Sequence, residues 1–188
     1  MSKRCSQIVI LCEDRQTDSF IRRFLKKAHS IQAHSLRVLA YPREGDGSGE
    51  QFVRNNYPNE LKALRNRQHR SNTTLIVAID ADDKKTSERI VQLNTACSDA
   101  GIKPNTANDN VAFVIPKRNI ETWIHYLNGK KVDETTPYPK FKDNEASCQP
   151  AVEKLHELCQ QKITPPDFPD SLASACLDYQ KVKRGFSA

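Results

Sequence analysis

No apolar run in this sequence approaches the ~18 residues of a membrane span, so no membrane-crossing segment is expected. The opening Met1-Ser2-Lys3-Arg4-Cys5-Ser6-Gln7 leads into a strand-like segment instead of the apolar stretch of a signal peptide, and a soluble cytoplasmic protein is the expectation. No C-x-x-C pair occurs among the six cysteines, which excludes a zinc knuckle and a C-x-x-C redox motif. Cys5, Cys12, Cys97, Cys148, Cys159 and Cys176 are expected as free thiols, mostly buried, with Cys97, Cys159 and Cys176 at apolar positions of helical patterns. No glycine-rich stretch ends in G-K-[ST], so there is no P-loop, and no other nucleotide-hydrolysis motif is present. Gly45-Asp46-Gly47-Ser48-Gly49 reads as a flexible loop whose amides could approach a phosphate. Internal repeats and low-complexity tracts are also absent.

What is there is an ordinary globular composition. The 188 residues are 37% hydrophobic and 28% charged, which excludes collagen, coiled coil and global disorder and points to one domain, with or without an appendage. The net charge of +6 is unevenly placed: residues 1–72 hold 14 Lys/Arg against 7 Asp/Glu, whereas 73–128 hold 6 against 7 and 129–188 hold 9 against 9. The excess lies in Arg22, Arg23, Lys26 and Lys27, with Arg43 and the group Arg65, Arg67 and Arg70. These side chains would attract phosphates if they converge in space and would otherwise form solvated helix faces.

Three short apolar runs, Ile8 to Cys12, Leu75 to Ile79 and Val111 to Ile115, are continuous instead of alternating, as in strands covered on both faces of a parallel sheet. All three are expected to be central, with a weaker strand at Leu36 to Ala40. Between them run helical patterns: one with Phe20, Ile21, Phe24, Leu25 and Ala28 inward after a Thr17 or Asp18 cap, and one capped at Thr86 or Ser87 with Ile90, Leu93 and Cys97 inward. Another is capped by Asn119, with Ile120, Trp123, Ile124 and Leu127 inward and Gly129 after it. Strands alternating with helices give an α/β fold of Rossmann-like type, a mainly parallel sheet flanked by helices over residues 1–128. Residues 129–188 read as a C-terminal helical extension on the same core, with helices near 150–161 and 171–180 around a Pro165-Pro166-Asp167-Phe168-Pro169 break.

Functional groups of open parallel sheets gather beyond the carboxyl ends of the strands, and here those ends are acidic. Glu13-Asp14 follows the first run and Asp80-Ala81-Asp82-Asp83 the central one; Pro116-Lys117 follows the last, with Glu121 in the first turn of the next helix. Carboxylates brought together from separate strands repel one another unless a divalent cation neutralises them, and hard oxygen ligands suit Mg²⁺ or Mn²⁺. Asp80 and Asp82 point the same way in extended chain. Asp18 reads as a helix N-terminal acid or a ligand, and Glu121 as a macrodipole acid or part of the site. Lys117 is placed to stabilise charge on a transferred phosphate or to sit on the surface. Trp123 reads as core and His125 as a surface or satisfied histidine.

The set Cys12-Glu13-Asp14-Arg15-Gln16-Thr17-Asp18, Ile79-Asp80-Ala81-Asp82 and Asn119-Ile120-Glu121-Thr122-Trp123-Ile124-His125 resembles the TOPRIM domain, more narrowly the RloB-like and OLD-type TOPRIM nucleases of bacterial defence systems. The resemblance covers roughly residues 8 to 127. Asp14 stands where the family usually has glycine and Asp18 where it has glutamate. It implies a Mg²⁺ or Mn²⁺ site on Glu13, Asp80 and Asp82, with Asp18 or Glu121 toward a second ion, for cutting phosphodiesters. The function so implied is a metal-dependent nuclease or nuclease subunit in anti-phage defence, acting on nucleic acid, DNA ahead of RNA, with Lys117 at the site and Arg22, Arg23, Lys26, Lys27 and Arg43 holding the backbone. The resemblance further implies an ABC- or AAA-type ATPase as a partner and leaves room for a homo-oligomer. Two alternatives stand beside it: a non-catalytic TOPRIM partner of an ATPase, and a receiver-type phosphoacceptor module. Against the receiver, the 67 positions from Glu13 to Asp80 look long for one strand-helix-strand-helix-strand passage.

Overall fold

In a computed structural model that describes residues 5–43, 45–68, 71–141, 143–183 and 186, four parallel strands form one sheet in the order β2-β1-β3-β4. These are β1 (Cys5–Leu11), β2 (Leu36–Val38), β3 (Asn72–Ala78) and β4 (Val111–Val114). Arg70 and the side chain of Cys5 lie outside the described part. Among the described residues six α-helices alternate with and follow the strands: α1 (Arg15–His29), α2 (Gly49–Arg67), α3 (Thr86–Asp99), α4 (Ile120–Leu127), α5 (Gln149–Gln161) and α6 (Asp170–Val182). The fold is thus α/β, an all-parallel sheet flanked by helices, consistent with a Rossmann-like arrangement. No described helix is long and apolar enough to cross a membrane.

The continuous apolar runs follow from two covered faces, since alternate residues of each strand serve opposite sides. Val9, Leu11, Leu75, Val77, Ile79, Val111 and Phe113 face α2 and α3, where Val53, Tyr57, Leu61, Leu64, Leu93 and Cys97 meet them. Ile8, Ile10, Cys12, Ile76, Ala78 and Ala112 face the other way, onto Ile21 and Leu25 of α1 and onto Val182 and Phe186. The C-terminal helices share this side: Ala151, Val152, Leu155, Leu158 and Leu172 pack with Phe20, Phe24, Trp123 and Ile124. Trp123 is core, its indole donating to Ser171 Oγ at 2.8 Å.

Several sequence expectations are corrected here. The Val111 run is an edge strand, not a central one, because among the described residues no strand pairs with β4 beyond β3. Its free side is covered by α6, where the Asp178 carboxylate accepts from the Phe113 amide at 3.1 Å. That helix does for β4 what another strand would do, so the strand stays buried and reads like a central one. α2 has no counterpart in the sequence reading. Pro58 stands inside it, and a proline at mid-helix ordinarily marks a break. The span from Glu13 to Asp80 therefore holds α1, β2, α2 and β3, which with β1 before it make a single strand-helix-strand-helix-strand passage after all. Helix starts also move: Asp14 caps α1, its Oδ1 accepting from the Thr17 amide at 2.9 Å, and α3 begins after Lys85, whose amide donates to Glu88.

Candidate functional site

From β1 the chain crosses to β2 on one side of the sheet, and from β3 it crosses to β4 on the other. The crevice beyond the carboxyl ends of β1 and β3 is therefore the topological switch point, the place where open α/β sheets bind ligands. Glu13 leaves β1 and Asp80 leaves β3 at that point, and the Asp80 amide donates to Glu13 Oε1 at 2.9 Å. The start of α2 closes the crevice, with Gly49 against the Glu13 backbone and Ser48 capping the helix through the Gln51 amide. The last glycine of the loop read as flexible is thus a packing position.

Glu121 approaches from α4. Its side chain is 0% exposed, and neither carboxyl oxygen meets a hydrogen-bond donor of another residue among the described ones. Burial pushes Glu121 up to about 7, the Asp14 charge adding to the rise while its own amide and Lys140 oppose it. Burial likewise pushes Glu13 up to about 7, with Asp82 and Asp14 reinforcing and the Asp80 amide and Arg89 opposing. Asp80 is raised well above the usual carboxylate range, first by burial and then by Glu13, Asp14, Glu121 and Asp82. Five carboxyl groups thus act on one another at one end of the sheet, and Asp80 feels all the others.

Two cations that the sequence reading did not single out stand among them. Lys140, from the connection after α4, lies 3.1 Å from Asp14 Oδ2. Burial draws its ammonium down, but Asp14, Glu121 and Asp80 together hold it above its ordinary range. Nothing local marks Lys140, because its place depends on the path of residues 129–144. Arg89 of α3 is 3% exposed. Its guanidinium donates to the Asp80 carbonyl at 2.8 Å, to Asp82 Oδ2 at 2.6 Å and to Glu50 Oε1 at 2.7 Å. Its signal was a charge on the inward face of an amphipathic helix.

The other expected residues take separate positions. Asp82, in a left-handed backbone conformation, is turned to Arg89. Asp18 is buried against Arg22, 2.6 Å away, and accepts from the Tyr41 hydroxyl at 3.2 Å. The Lys117 ammonium donates to the Lys84 carbonyl. His125 lies between the rings of Tyr138 and Phe141, and burial lowers its pKa. Arg22, Arg23, Lys26 and Lys27 do converge, lining one concave patch with Ser19 and Gln149 on the outer side of α1. Arg43 is apart from them, on the groove beside the carboxylates. Arg65 belongs to neither, since Asp109 and the carbonyls of Lys103 and Pro104 take up its guanidinium.

That groove, about 970 Å³, runs past Glu13 and Asp14 and is walled by Tyr41, Arg43, the glycine loop, Lys140 and Phe141. Its floor is acidic, so a polyanion could lie there only with cations between. Glu13 and Asp80 are half-buried and Glu121 is buried with both carboxyl oxygens lacking a donor from another described residue; their donor type, hard carboxylate oxygen, suits Mg²⁺ or Mn²⁺. Among the described residues no three His, Cys, Asp or Glu side chains are already arranged as a ligand group, and Asp82 and Asp18 each have an arginine as counter-ion. The fit is one of charge and donor type. Compared with protein-family models, with curated proteins and with solved structures, the chain matches none.

Proposed function

We propose that this chain is a divalent-metal-dependent phosphodiesterase acting on nucleic acid, a TOPRIM-like nuclease or nuclease subunit of bacterial anti-phage defence. The observation that carries the reading is the hydrogen bond from the Asp80 amide to Glu13 at the switch point of a parallel sheet, with the Glu121 charge acting on Asp80 and neither Glu121 oxygen meeting a donor of another described residue. Glu13 and Asp80 would hold Mg²⁺ or Mn²⁺, with Glu121 behind them. Bound there, the ion supplies Lewis acidity toward a phosphoryl oxygen and offsets the charge that develops in the transition state. Glu13 is placed to take up or hand on a proton at its carboxylate, and Lys140 brings a cation to the acidic floor. Arg43 on the groove, together with the α1 patch of Arg22, Arg23, Lys26 and Lys27, would hold backbone phosphates, so binding weakens steeply with salt.

A second reading, a TOPRIM-like partner of an ABC- or AAA-type ATPase that does no chemistry itself, is favoured by the ion pairs already present: Asp82 with Arg89 and Asp14 with Lys140. One assay separates the two. The chain is incubated with plasmid, linear duplex, single-stranded DNA and RNA, with Mg²⁺ or Mn²⁺ and with chelator, alone and with any co-purifying ATPase. The nuclease reading expects metal-dependent cleavage, DNA ahead of RNA, that Asp80→Asn reduces by on the order of 10³-fold in an intact fold. Cleavage that survives both Asp80→Asn and chelator overturns the mechanism, and no cleavage under any condition selects the second reading.

A further inference from the structure

The acids that the sequence marked at the carboxyl ends of the strands, Glu13, Asp14, Asp18, Asp80, Asp82 and Glu121, fall into two sets. Three of them carry a cation of the chain itself. Asp82 Oδ2 is 2.6 Å from an Arg89 nitrogen, Asp18 Oδ1 is 2.6 Å from Arg22 Nε, and Asp14 Oδ2 is 3.1 Å from Lys140 Nζ. The carboxylates of Glu13, Asp80 and Glu121 form no ion pair with a Lys, Arg or His of the described residues.

The Lys140 pair matters most, because Asp14 directly follows Glu13 and both line the groove. A second divalent ion beside one on Glu13 and Asp80 needs hard oxygens of its own, and Asp14 is the adjoining source. Both of its oxygens are engaged. Oδ1 accepts from the Thr17 amide at 2.9 Å as the cap of α1, and Oδ2 faces the Lys140 ammonium. Asp18 is no substitute, since it is buried and accepts from the Tyr41 hydroxyl as well as from Arg22. Lys140 is also delivered by an anchored backbone: Arg118 Nε donates to the Thr135 carbonyl at 2.7 Å, Asn119 Nδ2 to the Tyr138 carbonyl at 2.6 Å, and the Phe141 ring lies 5.4 Å from that of His125.

Charge points the same way. Fully ionised, the three carboxylates without a cation bring three negative charges, and one divalent ion leaves one of them. A second ion would make the centre positive beside an ammonium that repels it. We infer that this centre takes one divalent ion and not two, with Lys140 as a built-in cation in place of the second. The inference rests on the metal reading above and adds to it the number of ions and the residue that sets it.

The chelator-stripped full chain is titrated with Mn²⁺ alone, the free ion being read from its electron paramagnetic resonance signal. Asp80→Asn, titrated alongside, gives the background of ions bound elsewhere on the chain. Wild type is expected to bind one ion per chain above that background. Lys140→Met removes the charge and the donors while keeping most of the side-chain length, and is expected to bind a second ion in the same concentration range. Because the Lys140 side chain is 57% exposed, the exchange leaves the core untouched. Lys140→Arg, which keeps the cation, should return the count to one. Two ions in wild type, or still one in Lys140→Met, would overturn the inference and leave the metal reading standing. No ion above background in either protein would remove the metal reading and this inference with it.

Discussion

The backbone of Gly49 lies so close to Glu13 that a Cβ at position 49 would stand 2.6 Å from the Glu13 carbonyl oxygen and 2.9 Å from its Cβ. Those distances are shorter than van der Waals contact, so the start of α2 and the end of β1 can meet only because one of the two residues has no side chain. The left-handed backbone freedom of glycine is not the reason here; space is.

Gly49→Ala should therefore push α2 and Glu13 apart. Overpacking of this kind costs about 1–3 kcal/mol, readable as a lower denaturant midpoint with an unchanged slope. If the carboxylate cluster is the reactive site, cleavage falls with it. Ser48→Ala, which removes only the cap, should cost about 1 kcal/mol and spare Glu13.

The buried acids should make the metal-free protein less stable as pH rises. Unfolded, Glu13 and Glu121 ionise at about pH 4.3; folded, both are raised to about 7. Between those values the folded state holds the extra protons, so stability is greatest at the lower end and falls as pH climbs to 7. Glu121→Gln removes one of the two groups and should flatten the curve, gaining on the order of 1–3 kcal/mol at pH 8. Thermal unfolding of both proteins from pH 5 to 8 in chelator reads this directly.

Mg²⁺ or Mn²⁺ should act on the same repulsion. At a concentration about 100 times its dissociation constant, a cation bound only by the folded state adds ~2.7 kcal/mol, a rise of roughly 5–10 °C in Tm for a chain of this size. Asp80→Asn should abolish that rise. A Tm unchanged by either ion would remove the metal from the proposal.

Arg89 joins the end of β3 to α2 and α3 through Asp80, Asp82 and Glu50. Arg89→Met should destabilise by about 2–3 kcal/mol in chemical denaturation, less than a fully buried pair because the Asp82 side chain is 54% exposed. Arg89→Lys should recover little, since one ammonium cannot reproduce a planar fork that serves three separated acceptors.

Much of the fold was legible because burial on two faces writes itself into local sequence. β1 and β3 appeared as unbroken apolar runs, and α4, α5 and α6 fell close to the expected ranges. α2 did not, since Pro58 and a glycine-rich entry are locally unfavourable to a helix and only the packing of Val53, Tyr57, Leu61 and Leu64 overrides them. β4 was placed centrally for a related reason: a strand covered by α6 and a strand covered by another strand bury the same residues.

By itself the sequence determined the strand-helix alternation, the parallel sheet and the acids at its carboxyl ends, because hydrophobic period and strand-end position are local properties. Which acids share a field, and which are already neutralised, was decided by the tertiary structure alone. Arg89 reaches Asp82 from the next helix, and Lys140 reaches Asp14 across 126 positions. Charge pairing acts over a few ångströms in space, and no spacing along the chain encodes it.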